Sequence, residues 1–189
     1  MYNEFKWLNE PPKWKTDDTH CTITTGNETD FWQRTFYDFQ RKDGHFFFID
    51  YKGDFTCEVN LIADFEVLYD QLGLMLRVDD ENWIKTGLEY TDGAAHISTV
   101  VTRTWSDWSM IKPTKFEGEV RIRLTRHGEA IRIQYLDEHG VWIMLRLAHL
   151  DMPESCQIGL MACSPQRSGF VANFSNFRIG DPISRSLHD

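Results

Sequence analysis

Residues 71–103 read QLGLMLRV, DDEN, WIKTGLEY, TDG and AAHISTVVTR. Three runs rich in apolar and β-branched residues are separated by two short polar breaks, a pattern that predicts an antiparallel meander. Side chains alternate along a strand. The middle run therefore puts Trp83, Lys85, Gly87 and Glu89 on one face and Ile84, Thr86, Leu88 and Tyr90 on the other. One face offers a ring, a cation, a gap and an anion in register, while the opposite face can bury apolar surface. On the preceding run Met75 and Arg77 alternate with Leu74, Leu76 and Val78. On the following run His96 and Ser98 alternate with Ile97 and Thr99. Neighbours on one face of a strand lie about 7 Å apart. Lys85 and Glu89, four positions apart, are thus expected to find partners on other strands rather than each other. The bland alternative is a solvated face with weak cross-strand ion pairs.

Outward from the meander the same period recurs. Residues 20–25, 45–51, 55–64, 119–125, 130–136, 141–147, 157–164 and 169–179 read as strands, and 1–8 as an edge strand stopped by Pro11 and Pro12. Lys52-Gly53-Asp54 predicts a hairpin turn, 26–32 a loop, 113–118 a turn and 149–154 a short turn of helix. No helical period persists over three turns. The fold class expected is all-β, a sandwich or jelly roll of two antiparallel sheets. At 189 residues the chain is long enough for one large core. Residues 1–180 are expected to form a single domain, with 181–189 a loose polar tail.

The formal net charge of −9 argues against nucleic acid or anionic membrane as a general electrostatic partner. Arg121, Arg123 and Arg126 alternate with Val120, Ile122 and Leu124 and read as the wet face of a strand. The four cysteines, Cys21, Cys57, Cys156 and Cys163, form no Cys-x-x-Cys pair, and reduced structural thiols are expected. The seven histidines show no metal-ligating spacing, so neither metal nor cofactor is expected. With no apolar stretch of signal-peptide or membrane-spanning length, the expected location is cytoplasmic.

Several residues join the Trp83, Lys85 and Glu89 face as candidate ligand contacts. Asp70 and Gln71 precede the first meander strand, where Asp70 either satisfies turn donors or meets a ligand at the rim. Trp32, in Asp30-Phe31-Trp32, either packs over the sheet or stacks on a ligand. Trp108 lies in Trp105-Ser106-Asp107-Trp108-Ser109, the loop composition that suits a sugar ring, with flat aromatic faces beside short polar groups. Its alternative is core packing. His45 reads as a rim contact or a satisfied core histidine, and Arg77 and Ser98 on the flanking runs complete the set. Nucleophile elbows and phosphate loops are absent. So is the Glu-x-Asp-x-x-Glu strand of jelly-roll glycosidases. Glycoside hydrolysis commonly needs two carboxyl groups; only Glu89 lies on the candidate strand, with Asp70 a conceivable partner.

Ordered blocks along the chain resemble the DUF1349 family. They are Trp7-Leu8-Asn9-Glu10-Pro11, Thr29-Asp30-Phe31-Trp32 and Gly44-His45-Phe46-Phe47, then residues 69–77 and 83–90, and then 98–102, Asp107-Trp108-Ser109 and 159–165. The resemblance implies a concanavalin A-like lectin/glucanase jelly roll with one convex and one concave sheet. In sugar-active relatives the concave sheet binds ligand, which would put Trp83, Lys85 and Glu89 in the groove. The missing glucanase carboxylates do not carry over. The function expected is binding of a carbohydrate or small polar metabolite. One alternative is an enzyme on a sugar-like substrate with Glu89 as acid or base. The other, implied by a yeast member of the family described as a regulator of enolase, is a regulatory protein that contacts a metabolic enzyme.

Overall fold

The computed structural model describes residues 2–114 and 118–187. The expected turn over 113–118 falls partly outside these residues, as do His188 and the end of the tail.

Two seven-stranded antiparallel sheets pack face to face. With strands numbered along the chain, the first sheet holds β1 (Lys6–Leu8), β6 (His45–Lys52), β8 (Gln71–Arg77), β9 (Asn82–Thr91), β10 (Ala94–Arg103), β11 (Trp105–Ile111) and β15 (Ser155–Cys163). Its order is β1-β6-β15-β8-β9-β10-β11. The second sheet holds β2 (Lys13–Thr16), β3 (His20–Thr24), β7 (Phe55–Ile62), β12 (Glu119–His127), β13 (Ala130–Leu136), β14 (Trp142–His149) and β16 (Val171–Gly180). Its order is β14-β13-β12-β7-β16-β3-β2. A short pair, β4 (Phe31–Gln33) with β5 (Gln40–Lys42), stands apart.

Both expected meanders, β8-β9-β10 and β12-β13-β14, are contiguous in their sheets. Leu72, Leu74, Leu76, Ile84, Leu88 and Ile97 face inward from the first sheet. They meet Cys57, Val59, Leu61, Ile122, Leu124, Ile131, Ile133 and Phe174 from the second in one core. The jelly-roll expectation therefore holds, and the four cysteines are buried and form no disulfide.

A second, smaller core lies on the other face of the first sheet. Phe46, Phe48, Met75, Trp83, Val100, Met161 and Cys163 stand on that outer face and are covered by Phe31 and Trp32 of β4. The β4–β5 excursion thus roofs a sheet face that alternation alone would leave to solvent. Beneath it, Gly73 and Gly87 oppose each other in register. A Cβ on Gly73 would lie 2.0 Å from the Thr86 carbonyl oxygen, and one on Gly87 2.0 Å from that of Leu72. The backbones of β8 and β9 approach here as only glycine permits.

Several local expectations are corrected. Lys52-Gly53-Asp54 is no hairpin: β6 and β7 belong to different sheets, so the turn arches over the core. Their apolar residues meet across the sandwich rather than side by side, and period two cannot tell these apart. Residues 105–111 form a strand, paired with β10, rather than a loop. Residues 150–154 contain no helix, and 2–4 form a short 3-10 turn before β1. Arg126 shares the inward parity of Val120, Ile122 and Leu124. It is buried, and its guanidinium donates to the carbonyls of Gly128, Pro153 and Glu154. Residues 183–186 of the tail lie against the second sheet. Ile183 N–H donates to Thr56 Oγ1 at 2.9 Å, and Arg132 donates to the carbonyls of Ser184 and Ser186.

Candidate functional site: a roofed pocket on the first sheet

Between the roof and the outer face of the first sheet lies a pocket of about 270 Å³. Gln71 of β8, Lys85 and Glu89 of β9, Val100 of β10 and Trp108 of β11 form its floor. Asp30, Trp32, Tyr37, Phe39 and Arg41 close it from the roof, with Tyr69, Pro165 and Gln166 along the side.

Sheet register builds the floor. Gln71 stands opposite Glu89 on β8, and His96 opposite Glu89 on β10. As expected from their spacing, Lys85 and Glu89 each take a partner elsewhere. Lys85 Nζ lies 2.9 Å from Asp30 Oδ1, which also accepts from the Phe31 N–H at 2.7 Å. Burial by itself would depress Lys85. The Asp30 carboxylate opposes it most strongly and holds the ammonium above the ordinary lysine range. Glu89 Oε2 accepts from Ser98 Oγ at 2.6 Å and from Trp108 Nε1 at 3.1 Å. Burial lifts the Glu89 carboxyl above the usual range, against the opposing pulls of Lys85, Ser98 and Trp108. Its other oxygen makes no hydrogen bond to the described residues.

The walls are aromatic. Trp32 meets Trp108 edge to face, with ring centres 6.5 Å apart, and Tyr69 meets Trp108 likewise at 6.3 Å. Tyr37 stacks on Phe39, and its hydroxyl lies 3.2 Å from that of Tyr69. That contact, followed by partial burial, pushes the Tyr69 phenol up to about 12. The roof loop carries non-glycine residues in the left-handed region, namely Arg34, Phe36 and Asp38, as does Tyr69 on the side.

Of the residues singled out from sequence, Lys85, Glu89, Gln71, Trp32 and Trp108 come together here, and Ser98 stands directly behind Glu89. Four others lie elsewhere. Trp83 is 1% exposed in the small core, so its ring offers no stacking face. Asp70 is fully buried in an ion pair with Arg167, its Oδ1 accepting from Arg167 Nε at 3.0 Å. His45 donates through Nδ1 to the Asn9 carbonyl at 2.6 Å and accepts the Gly26 N–H at Nε2 at 2.9 Å. Burial lowers its pKa, only partly countered by the Asn9 bond, so the ring is a neutral clamp between segments. Arg77 pairs with Gln157 and Asp80. The contributions of Asp30, Tyr37, Phe39, Arg41, Tyr69 and Gln166 to the pocket were not legible from sequence. The aromatic run Phe36-Tyr37-Asp38-Phe39 in a polar stretch was the one available signal. Among the described residues no three His, Cys, Asp or Glu side chains converge as a metal-binding set.

Residues 7–182 match the family described as "Protein of unknown function (DUF1349)". The chain belongs to the DUF1349 family. This DUF1349 chain is 37% identical over 186 residues to the "Regulation of enolase protein 1" of Saccharomyces cerevisiae, covering 97% of its own length and 92% of the relative's. It superposes with a TM-score of 0.92 and 35% identity on the crystal structure of a functionally unknown S. cerevisiae protein, over 97% of this chain and 99% of that one. More distant structures share the fold alone. A GH43 protein from Bacillus licheniformis gives a TM-score of 0.71 at 15% identity, over 93% of this chain and 36% of the other. The carbohydrate-binding module CBM66 from Bacillus subtilis gives 0.60 at 13% identity, over 96% and 99%. No helix among the described residues is long and apolar enough to cross a membrane.

Proposed function

We propose that the roofed pocket binds a carbohydrate or a small polar metabolite. One observation carries the reading: the buried polar side chains of Lys85, Gln71 and Glu89 in the floor, met by Asp30 from the roof, among the rings of Trp32, Trp108, Tyr37 and Tyr69. A sugar ring needs that pairing, with aromatic faces for its C–H surfaces and fixed polar groups for its hydroxyls. Glu89 offers one oxygen with no hydrogen-bond partner among the described residues, and Lys85 keeps donor capacity beyond its bond to Asp30. The jelly-roll likeness to a carbohydrate-binding module agrees with this reading. Its test is a glycan array followed by calorimetry, with polyols and small hydroxy acids included. Binding should be measurable at millimolar concentration or better and should fail in Trp108→Ala. No binding by a folded protein across the whole set removes the reading.

A second reading, catalysis on a sugar-like substrate, is favoured by the enclosure. Two carboxyl groups, Asp30 and Glu89, line one pocket, and burial disposes Glu89 to keep a proton for use as a general acid. Asp30 replaces Asp70 as the second carboxyl, since Asp70 is locked by Arg167. Once a ligand is found, Glu89→Gln should bind it but abolish turnover; unchanged turnover rejects this mechanism. The name of the yeast relative adds a third reading, contact with a metabolic enzyme. Sedimentation of the purified chain mixed with enolase tests it, and independent sedimentation of the two would count against it.

A further inference from the structure

The outer face of the second sheet carries a feature that the pocket does not use. Three arginines surround one glutamate there. Glu58 Oε2 accepts from Arg121 at 2.8 Å and from two nitrogens of Arg178 at 2.6 and 3.1 Å, while Arg123 lies 3.9 Å from its other oxygen. Cross-strand register puts Glu58 opposite both Arg123 and Arg178, so the cluster follows from the sheet itself. Asp18 lines the same hollow as Arg121 and Arg178, and two carboxylates still do not neutralise three guanidinium groups. Lys13 and Lys15 on β2 are exposed and add cations at the far edge of the same sheet. In a chain of net charge −9 this face is a local inversion of sign.

The neighbours of the arginines narrow what could sit there. The Arg123 guanidinium lies over the Trp142 ring, 4.1 Å from its centre, and Arg121 stands 5.8 Å from the same ring. Met144 and Leu147 on the edge strand β14 are 45% and 49% exposed and pair in register with Gln134 and Arg132. Arginine, tryptophan and methionine are enriched at protein interfaces, where arginine and tryptophan carry much of the binding energy. The guanidinium groups are already oriented by Glu58, Gln134 and Trp142, so little freedom is lost when they meet carboxylates. A nucleic acid backbone would find no use for the apolar strip and would be repelled by the rest of the chain. A second copy docked face to face would oppose arginine with arginine.

We infer that the arginine-rich outer face of the second sheet, centred on Arg121, Arg123 and Arg178 beside Trp142, is a docking surface for an acidic surface of another protein. It is independent of any ligand in the pocket, because it lies on the opposite sheet and shares no residue with it.

The probe is an acidic peptide in which Glu alternates with Leu, titrated into the full chain by calorimetry at low and high salt. A Lys–Leu counterpart and an oligouridylate run alongside, and sedimentation follows self-association. The acidic peptide should bind, weaken with salt, and lose about tenfold or more in affinity in Arg121→Ala/Arg178→Ala. Arg178→Ala alone, at the most exposed of the three positions, should show part of that loss if the double variant folds poorly. Lys52→Ala, which removes one charge from the other sheet, should not. The inference is overturned if the acidic peptide does not bind, or binds equally to the arginine variants. Tighter binding of the oligouridylate would overturn it in favour of a phosphate polymer. Self-association abolished by the arginine changes would overturn it in favour of a second copy.

Discussion

Lys85 Nζ of the pocket floor and Asp30 Oδ1 of its roof meet 2.9 Å apart, with the lysine side chain 4% and the aspartate side chain 13% exposed. The pair ties the roof to the sheet it covers. Removing one partner leaves a buried charge with no counterion, which is costlier than the pair itself is stabilising. Asp30→Ala is expected to lose about 3 kcal/mol of stability, near the low end for buried pairs because the pocket admits water. Asp30→Asn, which can still accept from Phe31 N–H, should lose less. Urea denaturation of the variants checks both values and their order.

Glu89 should make the protein's stability fall with rising pH. Its carboxyl holds a proton more tightly when folded than when unfolded, chiefly through burial. The folded state therefore binds more protons in the window that opens at the ordinary value of 4.5 and extends upward. Across that window unfolding free energy declines as pH rises. Glu89→Gln carries no such penalty. Its stability relative to the parent should improve between about pH 4 and pH 8. Parallel denaturation curves at the two pH values test this; a difference that stays constant, or moves the other way, would show that Glu89 is ionised in the folded protein.

Tyr37→Phe should change the titration of Tyr69. The phenol of Tyr69 is pushed up to about 12 first by its hydrogen bond with Tyr37 and then by burial. Without the Tyr37 hydroxyl, Tyr69 should ionise closer to the usual 10. Tyrosinate absorbance during an alkaline titration reads this directly. An unchanged midpoint would assign the shift to burial.

Gly87→Ala should destabilise by about 3 kcal/mol or more, as overpacking against fixed backbone does at its worst. The new Cβ would sit 2.0 Å from the Leu72 carbonyl, and backbone cannot move aside as a flexible side chain can. Gly93→Ala meets no steric obstacle and carries only the cost of a left-handed conformation, roughly 1 kcal/mol. Thermal melts of the two variants should separate them clearly.

Much of the architecture was legible in the alternation of residues. Leu72, Leu74, Leu76, Ile84 and Leu88 point into the sandwich as period two requires, and the meanders follow their turn residues. The sheet to which each strand belongs was not legible, as the arch at Gly53 shows. Inward-facing side chains look the same whether their neighbour lies beside them or across the core. For the site, alternation correctly gathered Lys85, Gly87 and Glu89 on one face and implied partners on other strands. It could not distinguish Trp83, which packs under the roof, from Trp108, which lines the pocket, because both are aromatics at outward positions.

The sequence alone determined that this chain is an all-β sandwich and that one strand presents a lysine and a glutamate on its outer face, because strand geometry converts residue order into sidedness with no further information. Only the tertiary structure decided that this face is roofed, that Asp30 rather than Asp70 meets Lys85, and that Trp32, Tyr37 and Tyr69 wall the pocket. Those contacts join segments whose meeting is set by how the β4–β5 excursion folds back over the sheet, a long-range packing event that no local period encodes.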